Sequence, residues 1–390
     1  MSPGSRHELL LSIYPRYHPA GRREKTLILN SFCAATGYHR KYAVQLLGQP
    51  PEPTRHKRRA RRRRYGGEIL RVLLKIWEAA GYPWSVRLKA LLPMWLPWAR
   101  RRFRISPEIE QQLLAMSPRT MDRGLRPSKQ RLGRRLYGRT KPGSLLKHHI
   151  PLQTSSWAEA RPGFTEMDLV SHSGNSARGE FLHSFNVTDI ATAWVETRAV
   201  MGKGQTGIVL ALEEISVALP FPLLGVDSDN GSEFINQHLV RFCRDREIQF
   251  TRSRPYKKDD NAHIEQKNWT HVRKLLGWDR YDSLQALDGL NDLYRNELRL
   301  MMNLFQPTVK LVRKVRVGSR LRRIYSPAQT PLDRVLASAS MDSHTAQQLS
   351  QLRQHLDPFE LSKTIERKLQ RIYRLANSRL SPTTTTHEAA

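Results

Sequence analysis

Apolar and polar positions follow two rhythms along this chain, and the change between them divides it. In the first third, apolar residues recur at helical spacing. LILNSFCAATGYHRKYAVQLLG reads as two helices joined by a tight turn at Thr36-Gly37. Gly37 supplies the left-handed backbone there, and the small Cys33 lets the helices approach. In ISPEIEQQLLAMSPRTMDRGLRP, Ser106-Pro107 and Ser117-Pro118 each read as an N-cap followed by proline at the first helical position. The rhythm changes at Gly163. FTEMDLV, EFLHSFNVTD and WVETRAV read as three strands, 205–219 as a helix, LLGVDSD as a short buried strand and 233–247 as another helix. QFTRSRP reads as a fifth strand, followed by a loop through Lys258 and a helix over 261–276. Three strands, helix, strand, helix, strand, helix is the order of an α/β unit with a mixed five-stranded sheet. Beyond it come a helix near 283–305, a β-prone basic segment VKLVRKVRVGSRLRRIY, two polar helices over 344–376 and a tail expected to be disordered.

Charge gives these parts different jobs. The net charge is +30, and it is unevenly spread. Residues 1–150 hold 33 Lys/Arg against 8 Asp/Glu, 151–280 hold 15 against 17, and 281–390 hold 17 against 10. A basic front joined to a neutral middle points to a polyanion-binding region attached to something else, and nucleic acid is the leading polyanion. The first candidate unit, 5–49, is a helix-turn-helix whose second helix opens with Arg40 and Lys41, where a recognition helix meets DNA. A basic linker, 50–65, carries Arg61, Arg62, Arg63 and Arg64 and would track a phosphate backbone. A second helical DNA-binding unit, 66–127, ends in a short helix with Arg119 and Arg123. A linker at 128–160 leads to the core at 161–280, then a C-terminal region at 281–376 and a tail at 377–390.

Other classes recede. No stretch approaches the roughly 20 apolar residues a membrane span needs, and the run 218–226 is broken by Pro220 and Pro222. The N-terminus lacks a signal-peptide pattern, so a cytoplasmic protein is expected. Cys33 and Cys243 are the only cysteines, too few for a disulfide framework or a Cys-rich zinc site.

The neutral middle places acids where a metal site would want them. Asp168 lies inside the first strand, a poor position for a charge unless something binds it. Asp229 ends the fourth strand, and Glu265 lies in the first turns of the last helix. Sixty residues separate the aspartates and 35 separate Asp229 from Glu265. Carboxylates suit a hard cation such as Mg²⁺, and a pair of ions can serve an in-line phosphoryl transfer. Three converging carboxylates would repel one another without a cation. Asp227 and Glu233 flank Asp229 and are given no catalytic role, Asp227 being read as facing the other way.

VDSDNGSEFIN resembles the central motif of DDE transposases with a retroviral-integrase-type core, and DDNAHIEQKN resembles their closing motif, with Asn268 three residues past the glutamate. The 35-residue interval fits the D,D-35-E group, and FTEMDLV resembles the opening strand. NLFQPTVKLVRKVRVGSRLRRIYSPAQTPLDRVL resembles the tail of bacterial insertion-sequence relatives. The resemblance implies an RNase H-like α/β core preceded by all-α helix-turn-helix units and followed by a mostly helical C-terminal region. It implies Asp168, Asp229 and Glu265 as catalytic metal ligands for Mg²⁺ or Mn²⁺, 3′-end cleavage by water, and strand transfer by the freed 3′-hydroxyl. It further implies double-stranded DNA as partner, both element ends and target, with Lys257, Lys258 and Lys267 near the bound end. A homo-multimer would pair two ends, in the bacterial cytoplasm and on the nucleoid when bound. The zinc module of retroviral relatives is missing, and helix-turn-helix units stand in its place. Two other readings remain: a DNA-binding regulator with an inactive RNase H-like remnant, which the presence of all three carboxylates disfavours, and an RNase H-like nuclease, which the basic front disfavours.

Overall fold

The computed structural model describes residues 1–51, 65–136, 161–228, 234, 237–252, 264, 267–318 and 320–377. The chain divides into two compact units, Met1–Arg64 and Tyr65–Ala390. The first holds α1 (Pro3–Tyr17), α2 (Arg22–Thr36) and α3 (Arg40–Leu47) around Leu10, Leu29, Phe32, Ala43 and Leu47. Gly37 closes α2 at φ 73° and its N–H donates to the Cys33 carbonyl at 2.8 Å, so the turn expected at this glycine is present. His39 caps α3, leaving Arg40 and Lys41 exposed on its first turn. The basic linker residues Arg61, Arg62, Arg63 and Arg64 lie outside the described residues.

The second unit opens with α4 (Gly67–Ala79), α5 (Ser85–Phe103), α6 (Pro107–Ala115) and α7 (Pro118–Leu136). Ser106 accepts from the Ile109 N–H and Ser117 from the Thr120 N–H, as the Ser-Pro pairs predict. The expected short last helix is in fact longer. It continues past exposed Pro127 to Leu136, into the stretch read as a linker. Proline removes one hydrogen bond there, but Met121 and Leu125 hold the helix by burial on the opposite side. Nor is this helical unit detached. Leu73, Ile76, Trp77, Leu88, Leu91 and Trp95 bury in one core with the C-terminal helix, whose Phe359 packs edge-on against Trp95 and Phe103 with ring centroids 4.9 and 5.4 Å away. Gln306 donates to the Ala80 carbonyl at 2.8 Å, and Lys274 donates to that of Gly81.

The α/β core carries β1 (Phe164–Ser171), β2 (Leu182–Asp189), β3 (Val195–Met201), α8 (Gln205–Ala218), β4 (Gly225–Ser228), α9 (Gln237–Asp245) and β5 (Gln249–Arg252). The sheet order is β3-β2-β1-β4-β5, antiparallel from β1 to β3 and parallel from β1 to β5. This is the mixed five-stranded sheet that the element order predicts, in the RNase H-like arrangement that the resemblance implies. Gly163 sets the junction of three strands. Its φ is 116°, its N–H donates to Asp189, its carbonyl accepts from Leu224 and Gly225, and a Cβ would stand 2.6 Å from the Pro222 carbonyl. After β5, a π-helical stretch Asn268–Arg273 runs into α-helical Lys274–Leu276, together α10.

Edge strand β3 is closed by side chains. α11 (Leu284–Leu293) continues through π-helical turns Tyr294–Leu298 and Met301–Phe305 along it. Asn291 accepts from the Ala199 N–H and donates to its carbonyl, at 2.8 and 3.0 Å. Asn303 does the same at Val195, at 3.0 and 2.8 Å. Two amides thus supply the ladder a sixth strand would have made, and they remove an open edge. A hairpin follows, β6 (Leu311–Val317) and β7 (Arg320–Tyr325), then α12 (Pro331–Leu336), α13 (Ser343–His355) and α14 (Pro358–Tyr373). The strands fall in the segment expected to be β-prone, and the last two helices match expectation; α12 was not foreseen, although Thr330 and Asp333 form a capping box at its start.

Asn303→Leu is expected to lower unfolding stability by about 2–4 kcal/mol, because it strands a buried donor and a buried acceptor on β3. Urea titration measures this, and an unchanged midpoint would show that the amide staple carries no weight.

Candidate active site

Asp168 sits near the middle of β1, half-buried. Its Cα partner on β2 is Asn186, whose own partner on β3 is Thr197. Paired positions share a face, so these three form one row across the sheet. A chain of side-chain hydrogen bonds runs along that row and over it. The Thr197 hydroxyl donates to the Asn186 carbonyl oxygen at 2.7 Å, and the Asn186 amide donates to Asn268 at 2.6 Å. The Asn268 amide then donates to Asp168 Oδ2, while the Leu169 N–H donates to Oδ1 at 2.7 Å. Each donor fixes the orientation of the next amide, so the carboxylate is held from three strands and a helix.

The residues around Glu265 are pinned to the same strand. Glu166, buried and two positions before Asp168, accepts from the Ile264 N–H at 2.9 Å. Ile264 and Asn268 bracket Glu265 in sequence, and both bond to β1 acids on one face. On the neighbouring strand, Met167 pairs with Ser228, so Asp168 and Asp229 are each the next residue in chain order. Asp229, Glu265, Glu233, Lys257 and Lys258 themselves lie outside the described residues, and among the described residues no group of three acids, histidines or cysteines could hold a metal ion.

Two expectations change. Asp227 does not face away from the site: strand positions two apart share a face, and Asp227 pairs with Glu166 on the Asp168 face. It is buried there and accepts from the Thr251 hydroxyl at 2.7 Å. Lys267 is not at the surface where it could meet DNA. It is 5% exposed, and its ammonium donates to the Ala193 carbonyl at 3.0 Å. Burial first, then Arg87 and Arg334 nearby, push it down to about 7. Its neighbour Trp269 is instead 53% exposed, the reverse of what polarity suggests. Arg119 and Arg123 do lie exposed on α7.

Lys267 belongs to a group of cations gripping one turn. Between β2 and β3, Lys310 donates to the Ala191 carbonyl at 2.8 Å, Arg334 to that of Thr192 at 3.1 Å, and Lys267 to that of Ala193. Buried Asp189 binds the Thr192 N–H and hydroxyl within the turn. Three consecutive carbonyls therefore tie α10, the approach to β6 and α12 to the core. Glu166, Asn186 and Thr197 were not singled out from sequence. Only Glu166 leaves a signal there, as an acid at strand spacing from Asp168.

At the far end of β1, His172 Nε2 and the Ser184 hydroxyl lie 2.7 Å apart, and the same hydroxyl lies 2.7 Å from that of Tyr294. Burial, with Arg273 and His183 adding to it, pushes His172 down to about 3.

The integrase core domain family matches residues 158–258. With the sheet order above, it defines the middle of the chain as an integrase core of the DDE transposase and integrase type. The uncharacterized protein y4rM of Sinorhizobium fredii (strain NBRC 101917 / NGR234) is 40% identical over 339 residues, 86% of this chain and 96% of that one. The chain belongs to the same family as y4rM. Similar solved structures include a simian T-cell lymphotropic virus intasome in complex with the PP2A regulatory subunit B56 gamma, 16% identical over 40% of this chain and 54% of that chain, TM-score 0.31. The catalytic core domain of BIV integrase is 16% identical over 44% and 91%, TM-score 0.29. The HTLV-2 integrase catalytic core domain in complex with magnesium is 18% identical over 38% and 90%, TM-score 0.27.

The His172 shift has a sign that can be checked. Its folded value lies below its unfolded one, so the unfolded chain binds the extra proton between about 3 and 6.5. The stability this neutral histidine contributes is complete above pH 6.5 and is lost as pH falls toward 3, by at most about 1.4 kcal/mol per pH unit. His172→Gln is expected to lose that component, so urea midpoints of the two proteins should converge as pH falls from 7 to 4. Parallel curves would refute the assignment.

Proposed function

We propose that this protein is a DNA transposase or integrase that performs metal-dependent 3′-end cleavage and strand transfer, with Asp168, Asp229 and Glu265 as its metal-binding carboxylates. The observation that carries the reading is the two-point attachment of the segment around Glu265 to β1. Ile264 is bonded to Glu166 and Asn268 to Asp168, and the chain between them carries the third acid. The central acid follows the parallel β4 directly after Ser228, the partner of Met167. The integrase core match over 158–258 supports the same assignment.

The donor set fits a hard divalent cation. Asp168 offers a carboxylate on a rigid strand, oriented by neutral amides and a backbone N–H, and oxygen donors are what Mg²⁺ or Mn²⁺ accepts. A pair of such ions would stabilise the attacking and leaving oxygens of an in-line displacement at phosphorus. The chain's own contribution is positional. Asn268 holds Asp168 in one rotamer, Asn186 and Thr197 hold Asn268, and Lys267 fixes the same helix to the β2–β3 turn. Double-stranded DNA, both element ends and target, is the substrate in this reading. Arg40 and Lys41 on α3, Arg119 and Arg123 on α7 and the arginines 61–64 would grip it. Pairing two ends calls for a multimer in the DNA complex, and the work would be done in the cytoplasm on the nucleoid.

The test incubates purified protein with a labelled duplex carrying the DNA that flanks its gene, a target plasmid and Mg²⁺ or Mn²⁺. Metal-dependent joined products are expected, and Asp168→Asn is expected to reduce them by at least about 10²-fold while leaving the fold intact. Asn268→Ala is expected to cost about 10–100-fold and to recover partly at higher Mn²⁺, as for a residue that orients a metal ligand. DNA binding with no cleavage or joining in either metal would overturn the reading.

A further inference from the structure

The β6–β7 hairpin is built unlike the rest of the fold. Its register pairs Leu311 with Tyr325 and Val317 with Arg320, and a bulge interrupts it between Leu311 and Arg313. Among the described residues neither strand packs broadly on another element. Arg313, Arg316, Arg322, Arg323 and Tyr325 are exposed, and Val312 is 62% exposed. A two-stranded ribbon that buries so little is marginal by itself.

Its charge is one-sided. Positions 311–325 hold six cationic residues, Arg313, Lys314, Arg316, Arg320, Arg322 and Arg323, and no acid. Edge protection needs a charge or two of either sign. Here the register pairs Lys314 with Arg323, and the sequence of both strands sets no acid against these cations. The register puts Arg313 and Arg322 on one face and Arg316 and Arg323 on the other. A ribbon lying on an anionic membrane would divide cations from apolar residues between its faces, and this one mixes them. A DNA groove meets a ribbon with phosphates on both sides, and the major groove admits a two-stranded β-ribbon.

The base of the ribbon is fixed by hydrogen bonds to the core and across its two ends. Lys310, one residue before β6, donates to the Ala191 carbonyl, and Ser326, one residue after β7, closes on Lys310 through two hydrogen bonds of 2.8 and 3.0 Å. Arg334 ties Thr308 to the same turn. That turn also holds Lys267, next to Asn268. The ribbon and the helix that bears the Asp168 partner therefore hang from one anchor.

We propose that the β6–β7 hairpin is a DNA-binding arm that inserts into a groove and neutralises phosphates through Arg313, Arg316, Arg322 and Arg323. The proposal rests on the reading of the chain as a DNA-acting protein, but not on its catalysis.

Full-length protein is titrated in EDTA against a labelled duplex between about 50 and 200 mM salt. Replacing the four arginines together by alanine is expected to lower the magnitude of the log K against log salt slope by about 3–4. Replacing all four by lysine is expected to keep the slope, because phosphate neutralisation needs only charge. An unchanged slope in the alanine protein overturns the proposal, as does an equal loss in the lysine protein. Arm-dependent binding to vesicles rich in phosphatidylserine, with DNA binding unaltered, would also overturn it. The parent protein is assayed in parallel for joining in Mg²⁺. Absent joining with an arm-dependent slope would sink the catalytic reading and leave the arm, and the converse result would do the reverse.

Discussion

A carboxylate in the middle of a sheet keeps a single orientation only if something else decides which way it points. In this chain that constraint is met by amides. Thr197, Asn186 and Asn268 pass one hydrogen bond to the next and deliver the last to Asp168. Neutral donors orient the acid without cancelling its charge, as an arginine at the same place would. The arrangement works only while β1, β2, β3 and α10 keep their relative positions, and much of the remaining structure serves that end. Asn291 and Asn303 hold β3 against α11, so the first donor stays in register. Gly163 locks the starts of β1 and β4 to the end of β2.

The β2–β3 turn is the second fixed point. A turn with three carbonyls directed toward protein instead of water leaves acceptors that must be met. Lys310, Arg334 and Lys267 meet them one each, and each comes from a different stretch of chain. The cost is desolvation of three cations, visible in the lowered values of Lys267, Lys310 and Arg334. What this secures is connection: α10, the hairpin base and α12 are referred to one turn, and through Asp189 to β1 itself.

The sheet was readable in the sequence because its strands follow local patterns. FTEMDLV, the segment around Asn186 and WVETRAV alternate or run apolar, glycine marks the entry to β1, and the motifs around Asp168 and Asn268 lie where those patterns place them. Pairings across long intervals were not readable. The burial of Trp95 against Phe359 joins residues far apart in sequence, so the helices 66–127 looked like a free unit. The continuation of α7 past Pro127 depends on which side of the helix packs, and no local rule gives that. Asp227 was misread by a parity slip that the Glu166 register corrects. The π-helical turns in α10 and α11 likewise follow from tertiary packing; composition does not announce them.

Lys267 shows most clearly why charge alone misleads. A lysine two residues past Glu265, in a chain of net charge +30, invites assignment to a phosphate. Its ammonium is instead spent on a backbone carbonyl inside the protein. Lys310 and Arg334 repeat the pattern, while Arg313, Arg316, Arg322 and Arg323, only a few residues from Lys310, face solvent with no acid in their segment. The same residue types thus do two jobs within thirty positions, and the distinction is set by what lies within reach of the side chain. A carbonyl that folding has removed from water draws a cation inward, and where no such acceptor exists the cation stays outside, available to a polyanion. The basic character of this chain is therefore partly structural and partly a surface property, and only the second part can contribute to holding DNA.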